Sequence, residues 1–117
     1  MIHGIGTDIC SIERLEQSLT RTPGLKERLF HPNERSLSSE SLAARFAAKE
    51  ALAKALGDPK QLTWNEIEVV KDQSGKPSIA LHGQSAKNIS ELGELAIHLS
   101  LSHDASVALA YVVLESS

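Results

Sequence analysis

The 117-residue sequence predicts a small α+β domain, a small antiparallel sheet with helices, its strands gathered mainly in the C-terminal half. Three patterns carry that expectation. A run rich in Ala, Leu, Lys, Arg and Glu covers residues 41–56 and stops at Gly57-Asp58-Pro59, which is the composition and the terminator of a helix. Two stretches, 66–81 and 95–115, mark hairpins about a central turn, with Ile67/Val69, Ile79/Leu81 and Leu95 to Leu101 alternating and 107–115 running mostly apolar. No repeat, low-complexity tract or linker rich in Pro, Gly and Ser divides the chain, so one domain over 1–117 is expected.

In chain order, residues 2–9 open as a short strand of apolar and glycine residues ending in Thr7-Asp8. Asp8 is placed where strand gives way to helix, a position suited to capping. Ile12, Leu15 and Leu19 then recur at i, i+3 and i+7, the helical repeat, until Pro23-Gly24 ends the segment, and Arg14 and Arg21 share one face. Residues 25–30 read as a turn or short helix, and His31-Pro32-Asn33-Glu34 as a helix start, because proline suits the first helical turn. In the 41–56 helix Ala47, Ala48, Ala51 and Ala55 form one face while Leu42, Phe46, Leu52, Ala53 and Leu56 occupy much of the other, a pattern that belongs in an interior. Yet Arg45, Lys49, Glu50 and Lys54 lie in its middle, where charges need partners. Ile67 and Val69 alternate in a strand, Ser74-Gly75-Lys76-Pro77 turns, and Ile79 and Leu81 return. Residues 83–92 read as a short helix ending at Gly93. Leu95, Ile97, Leu99 and Leu101 form the next strand, His103-Asp104-Ala105-Ser106 turns the chain, and 107–115 close a second hairpin. That last strand is apolar on both faces, as a central or interface strand would be.

Composition excludes several function classes. With 12 Lys+Arg against 15 Asp+Glu and a net charge of −3, bulk nucleic-acid binding is disfavoured, and 3% aromatic residues leave few platforms for bases. The single cysteine, Cys10, excludes a disulfide framework and a Cys-rich zinc site within one chain and fits a reducing, cytoplasmic setting. No basic stretch followed by an apolar one opens the sequence, and no window approaches about 18 apolar residues, so neither secretion nor a membrane span is expected.

Three polar clusters can carry chemistry: Asp8; Glu50 and Lys54 with Arg45 and Lys49; and Ser102 with His103. A Mg²⁺ ion takes one or two protein carboxylates and fills its other positions with water and phosphate oxygens. Asp8 and Glu50 can supply the carboxylates, the lysines and His103 can neutralise phosphates, and Ser102 can donate a hydrogen bond. The residue pattern leaves simpler readings open: an N-cap at Asp8, a stabilising Glu50/Lys54 pair at i, i+4, a solvated turn histidine, a hydrated Arg14/Arg21 face, and a small buried Cys10. Residues 71–76 lack a Walker spacing and form no phosphate loop.

Gly4-Ile5-Gly6-Thr7-Asp8-Ile9, the run Arg45-Phe46-Ala47-Ala48-Lys49-Glu50-Ala51-Leu52-Ala53-Lys54-Ala55-Leu56-Gly57, and Leu101-Ser102-His103-Asp104 together resemble the holo-acyl-carrier-protein synthase family. Trp64-Asn65-Glu66-Ile67-Glu68-Val69 and Gly75-Lys76-Pro77 extend the likeness over nearly the whole chain. The resemblance implies a 4′-phosphopantetheinyl transferase-like, trimer-forming fold. It also implies an enzyme of fatty acid biosynthesis that uses coenzyme A and Mg²⁺ to modify a serine of an acyl carrier protein, releasing adenosine 3′,5′-bisphosphate. The implied assembly is a homotrimer with active sites at subunit boundaries. Asp8 and Glu50 match the metal ligands and, with Lys54, the catalytic set; Arg45, Lys49, Lys54, Ser102 and His103 fall to coenzyme A. Arg14, with Arg21 on the same face, matches the carrier-protein contact. The carrier serine's proton goes to Glu50 or to a metal-bound water. On this reading the substrate's phosphates are the missing partners of the helix cations. Asp58-Pro59-Lys60-Gln61 departs from the glycine-containing loop of many relatives, and the His31 to Arg35 segment follows the family only loosely, so it receives no catalytic role. A non-catalytic coenzyme A-binding trimer and a purely structural oligomer are the competing readings.

Overall fold

Small residues decide how the two layers of the molecule meet. The computed structural model describes residues 1–117. A three-stranded antiparallel sheet, ordered β1-β5-β4, is built from β1 (Ile2–Ser11), β4 (Leu95–Asp104) and β5 (Val107–Ser116). The long helix α3 (Ser39–Leu56) packs across β1 and β5. From β5 come Ala108, Ala110, Val112 and Leu114, all fully buried; from the helix come Ala47, Ala48 and Ala51, also fully buried. The seat is closer than alanine alone allows. A Cβ on Gly6 would stand 2.0 Å from the carbonyl oxygen of Ala51, and one on Gly4 2.0 Å from that of Ala55, so the helix backbone rests directly on the β1 backbone.

Strand alternation then sorts β1 into two faces. Gly4, Gly6, Asp8 and Cys10 turn toward α3, and Ile5 and Ile9, 57% and 63% exposed, turn outward with Leu109 and Tyr111 of β5. The strand runs two residues beyond the expected 2–9 because β5 continues to pair with it through Cys10↔Ala108 and Ser11↔Val107. Asp8 is therefore mid-strand, paired with Ala110, and caps nothing. The cap of α1 (Ile12–Arg21) is Ser11, whose Oγ accepts the Arg14 N–H at 3.2 Å.

Between α1 and α3 lie α2 (Leu25–Leu29) and a 3₁₀ turn, Pro32–Glu34, capped by His31. The expected helix start at His31 is thus a single turn. β2 (Ile67–Lys71) and β3 (Pro77–Leu81) form the first hairpin, and α4 (Gly83–Ser90) follows. The second hairpin turns more tightly than expected. His103 and Asp104 pair with Ala108 and Val107, leaving Ala105-Ser106 as the turn, with Ala105 at φ 51°. No helix is long and apolar enough to cross a membrane.

Candidate functional site

The seating of α3 on β1 brings Asp8 and Glu50 to one cleft of about 270 Å³, whose walls include Arg14 of α1 and Phe46 of α3. Lys54, one turn beyond Glu50, reaches back to the strand: Nζ donates to Asp8 Oδ1 at 3.0 Å and to the Thr7 carbonyl at 3.0 Å. Its ion-pair partner is therefore Asp8 across the layer rather than Glu50 along the helix. The simpler readings of Asp8 as a cap and of Glu50/Lys54 as a pair both fall to this geometry. Lys54 is 57% exposed, so its amine remains open to a ligand.

Burial and the second carboxylate both act on Glu50. Burial, and then the Asp8 charge, push the Glu50 carboxyl above its ordinary value, against the opposing pull of Lys54. The neighbouring Cys10 thiol is pushed up to about 11 by burial and by the same two carboxylates. Such a thiol is not a nucleophile at neutral pH. Two hard oxygen donors whose joint field resists further negative charge are the donor set a Mg²⁺ ion takes.

Trp64 and Pro59 join Glu50, Lys54 and Gly57 around an adjoining hollow of about 350 Å³. The Asp58 to Gln61 segment thus forms part of the site's wall. It is a 3₁₀ turn whose Asp58 side chain accepts the Lys60 N–H at 3.1 Å.

Ser102 and His103 open elsewhere. They border a second cleft of about 180 Å³ with Ser41 and Ala44 of α3, Lys71 of β2 and Pro77 of β3. The two clefts share no residue. His103 pairs with Ala108, which pairs with Cys10, so it stands two strands across the sheet from the Asp8 end. Arg45 is 7% exposed, one turn from Ser41, and its Nη1 donates to the Ser41 carbonyl at 3.5 Å. Its buried Nε makes no hydrogen bond and lies 3.8 Å from Glu34 Oε2.

Lys49 corrects the sequence expectation. Its side chain is fully buried, and Nζ donates to Glu34 Oε1 at 2.6 Å, to the Leu29 carbonyl at 2.8 Å and to the Trp64 carbonyl at 3.2 Å. An ammonium with three oxygen acceptors and no exposed surface has no capacity left for a phosphate. Glu34, not a ligand, is the partner that lets a lysine sit inside this helix. Glu34 also accepts the His31 N–H at 3.0 Å and the Val69 N–H at 2.9 Å, so it ties together the 3₁₀ turn, β2 and α3. The sequence signalled it only as the third residue of a helix start. Arg14 and Arg21 are both exposed on α1, with Arg14 at the cleft wall.

The profile of the 4′-phosphopantetheinyl transferase superfamily matches residues 4–112. The chain is 54% identical to the holo-[acyl-carrier-protein] synthase of Clavibacter michiganensis subsp. michiganensis, over 98% of this chain and 97% of that one. The crystal structure of the holo-[acyl-carrier-protein] synthase of Neisseria meningitidis superposes with a TM-score of 0.91 at 34% identity, covering 99% of this chain and all of that one. A holo-(acyl-carrier-protein) synthase from Bacillus anthracis in complex with CoA (3′,5′-ADP) superposes at 0.82 with 39% identity, covering 100% and 99%.

Proposed function

The chain belongs to the 4′-phosphopantetheinyl transferase superfamily, and from that premise we propose that it works as a holo-acyl-carrier-protein synthase. It transfers the 4′-phosphopantetheine group of coenzyme A to a serine of apo-acyl carrier protein, leaving adenosine 3′,5′-bisphosphate. The observation that carries the reading is the meeting of Asp8 and Glu50 in one cleft, with Lys54 paired to Asp8 at its edge, in a chain 54% identical to a synthase over 98% of its length.

Asp8 and Glu50 would hold Mg²⁺, since both are carboxylates lining one cleft, each adding negative charge to the other's surroundings. When bound, the ion supplies charge neutralisation and polarisation at the diphosphate. The serine oxygen forms its bond to the phosphorus bearing the pantetheine arm, and the bond from that phosphorus to the nucleotide's phosphate oxygen breaks. Lys54, held at the site's edge by Asp8, offsets the negative charge that gathers on the departing nucleotide. Glu50 takes the serine proton, directly or through a water. Arg14 and Arg21 offer an acidic carrier protein a complementary face beside the cleft.

Ser102, His103 and Arg45 meet coenzyme A in a homotrimer, where the second cleft of one subunit faces the first cleft of its neighbour. Two features support this. The two clefts are separate within one chain. The outer sheet face also exposes Ile5, Ile9, Leu109 and Tyr111, an apolar surface of the kind that a subunit covers.

Intact-mass analysis of apo-acyl carrier protein after incubation with this chain, coenzyme A and Mg²⁺, beside a chelator control, tests the whole reading. The expected result is a gain of one phosphopantetheine that disappears with chelator. No gain across several carriers, from folded protein, would leave a coenzyme A-binding module.

A further inference from the structure

Away from the Asp8–Glu50 cleft, two histidines and a carboxylate converge where three segments of the chain meet. His31 caps the 3₁₀ turn, Glu68 lies in β2, and His82 joins β3 to α4. His82 Nε2 stands 2.9 Å from Glu68 Oε1, and His31 Nδ1 stands 3.8 Å from the same oxygen. The three donor atoms all lie within 4.8 Å of one another, with the two rings stacked, centroids 4.6 Å apart. The other Glu68 oxygen, Oε2, accepts Asn33 Nδ2–H at 3.1 Å, which turns Oε1 toward the imidazoles. The transfer reaction uses none of these groups.

Hydrogen bonding alone leaves part of the cluster unexplained. His31 Nδ1 accepts the Asn33 backbone N–H at 3.1 Å and stands 3.8 Å from Glu68 Oε1 with no hydrogen bond between the two. A cation between the two would bridge groups that no hydrogen bond joins. We propose that His31, Glu68 and His82 bind one borderline-soft divalent ion of the Zn²⁺ type, with water completing its coordination.

The chemistry of the donors selects the ion. Imidazole nitrogens suit Zn²⁺ and its late-transition neighbours, whereas Mg²⁺ demands oxygens and keeps most of its water. Bond lengths of about 2.0–2.2 Å in a tetrahedron set neighbouring donors about 3.4 Å apart. The observed 2.9 and 3.8 Å edges straddle that value. The remaining closure falls to His82, whose side chain is 44% exposed and free to swing, and whose open side admits the ion and its water. Binding takes the Nδ1 lone pair from the Asn33 amide, which is exposed and can turn to solvent. Asn33 remains the group that orients the carboxylate, the support that metal-binding carboxylates ordinarily receive. The ion would staple the 3₁₀ turn, the first hairpin and α4 together.

The test uses the untagged full-length chain, stripped of metal and titrated with Zn²⁺ by calorimetry and with Co²⁺ by visible absorption. Each variant is first shown to retain Mg²⁺-dependent transfer. One ion per chain is expected, with a rise in thermal midpoint at saturation and no displacement by millimolar Mg²⁺. His82→Gln and His31→Asn, the latter keeping a capping acceptor, should each weaken binding at least ~10-fold. His98→Gln should leave binding unchanged, although His98 also touches a carboxylate, Glu115 at 2.9 Å on the exposed outer face. Binding that survives both ligand substitutions, that is lost with His98, or that Mg²⁺ displaces would overturn the proposal.

Discussion

Replacing Lys49 by methionine separates a structural lysine from one that serves a ligand. Methionine keeps the unbranched stem and removes the ammonium, leaving the Glu34 carboxylate with only the Arg45 Nε, 3.8 Å away, as a cation. Both partners are buried, at 0% and 1% side-chain exposure, so removing one strands the other without water. Breaking a buried pair in this way costs ~3–5 kcal/mol. At an unfolding entropy of ~2.1 cal/mol/K per residue, a chain of this length loses about 12–20 °C of thermal midpoint. The assay is thermal and urea unfolding at one fixed protein concentration, because an oligomer's midpoint moves with concentration. Glu34→Gln combined with Lys49→Met should cost less than the two single changes added together, by ~0.5–3 kcal/mol, since the double variant strands neither the Glu34 carboxylate nor the Lys49 ammonium. A Lys49→Met protein as stable as the parent, but with a raised KM for coenzyme A, would refute the structural assignment and return Lys49 to the substrate's phosphates.

Three further expectations are independent of that one. Glu50→Gln should abolish turnover yet raise stability at pH 7. A carboxyl whose folded pKa lies above its unfolded value destabilises the fold once ionised, so the gain is complete above the folded pKa and vanishes as pH falls below about 4.5 in scans of thermal midpoint against pH. Gly6→Ala forces a methyl to within 2.0 Å of the Ala51 carbonyl and should cost ~1–3 kcal/mol by denaturant titration; an unchanged midpoint would mean the helix is not seated as described. Inactive Glu50→Gln and His103→Ala proteins, mixed and allowed to exchange subunits, should regain part of the parental rate. No recovery, with exchange confirmed by native mass analysis, would place the whole site within one chain.

The sequence foreshadowed elements whose signal is internal to them. The α3 helix announces itself through its alanine run and the Gly57 stop, β4 through alternation, and β5 through a continuous apolar run. What it could not show depends on residues distant in the chain. The length of β1 is set by its pairing with β5, so Asp8 resembled a strand end while lying mid-strand. Lys49 carried a visible conflict, a charge in an apolar helix, but its partner sits fifteen residues earlier in a single turn that has no periodicity to reveal it. The Asp8, Glu50 and Lys54 set was legible only through family resemblance; the residue pattern by itself equally allowed a cap and a helical ion pair. The His31–Glu68–His82 cluster gave no motif, because its members come from three segments with irregular spacing.

The contact of one main chain on another at Gly6 and Ala51 sets the tolerance of the machinery itself. Asp8 and Glu50 each follow or precede that contact by one or two residues, so no compressible layer of side chains lies between their anchors. Their relative position is fixed by atomic radii rather than by packing that softens on warming. The spacing of Asp8 and Glu50 should therefore persist as temperature rises and disappear with the fold as a whole. Adaptation of such a catalyst to new conditions or new carriers is confined to the parts hung around that joint, such as the Asp58 to Gln61 turn and the face of α1.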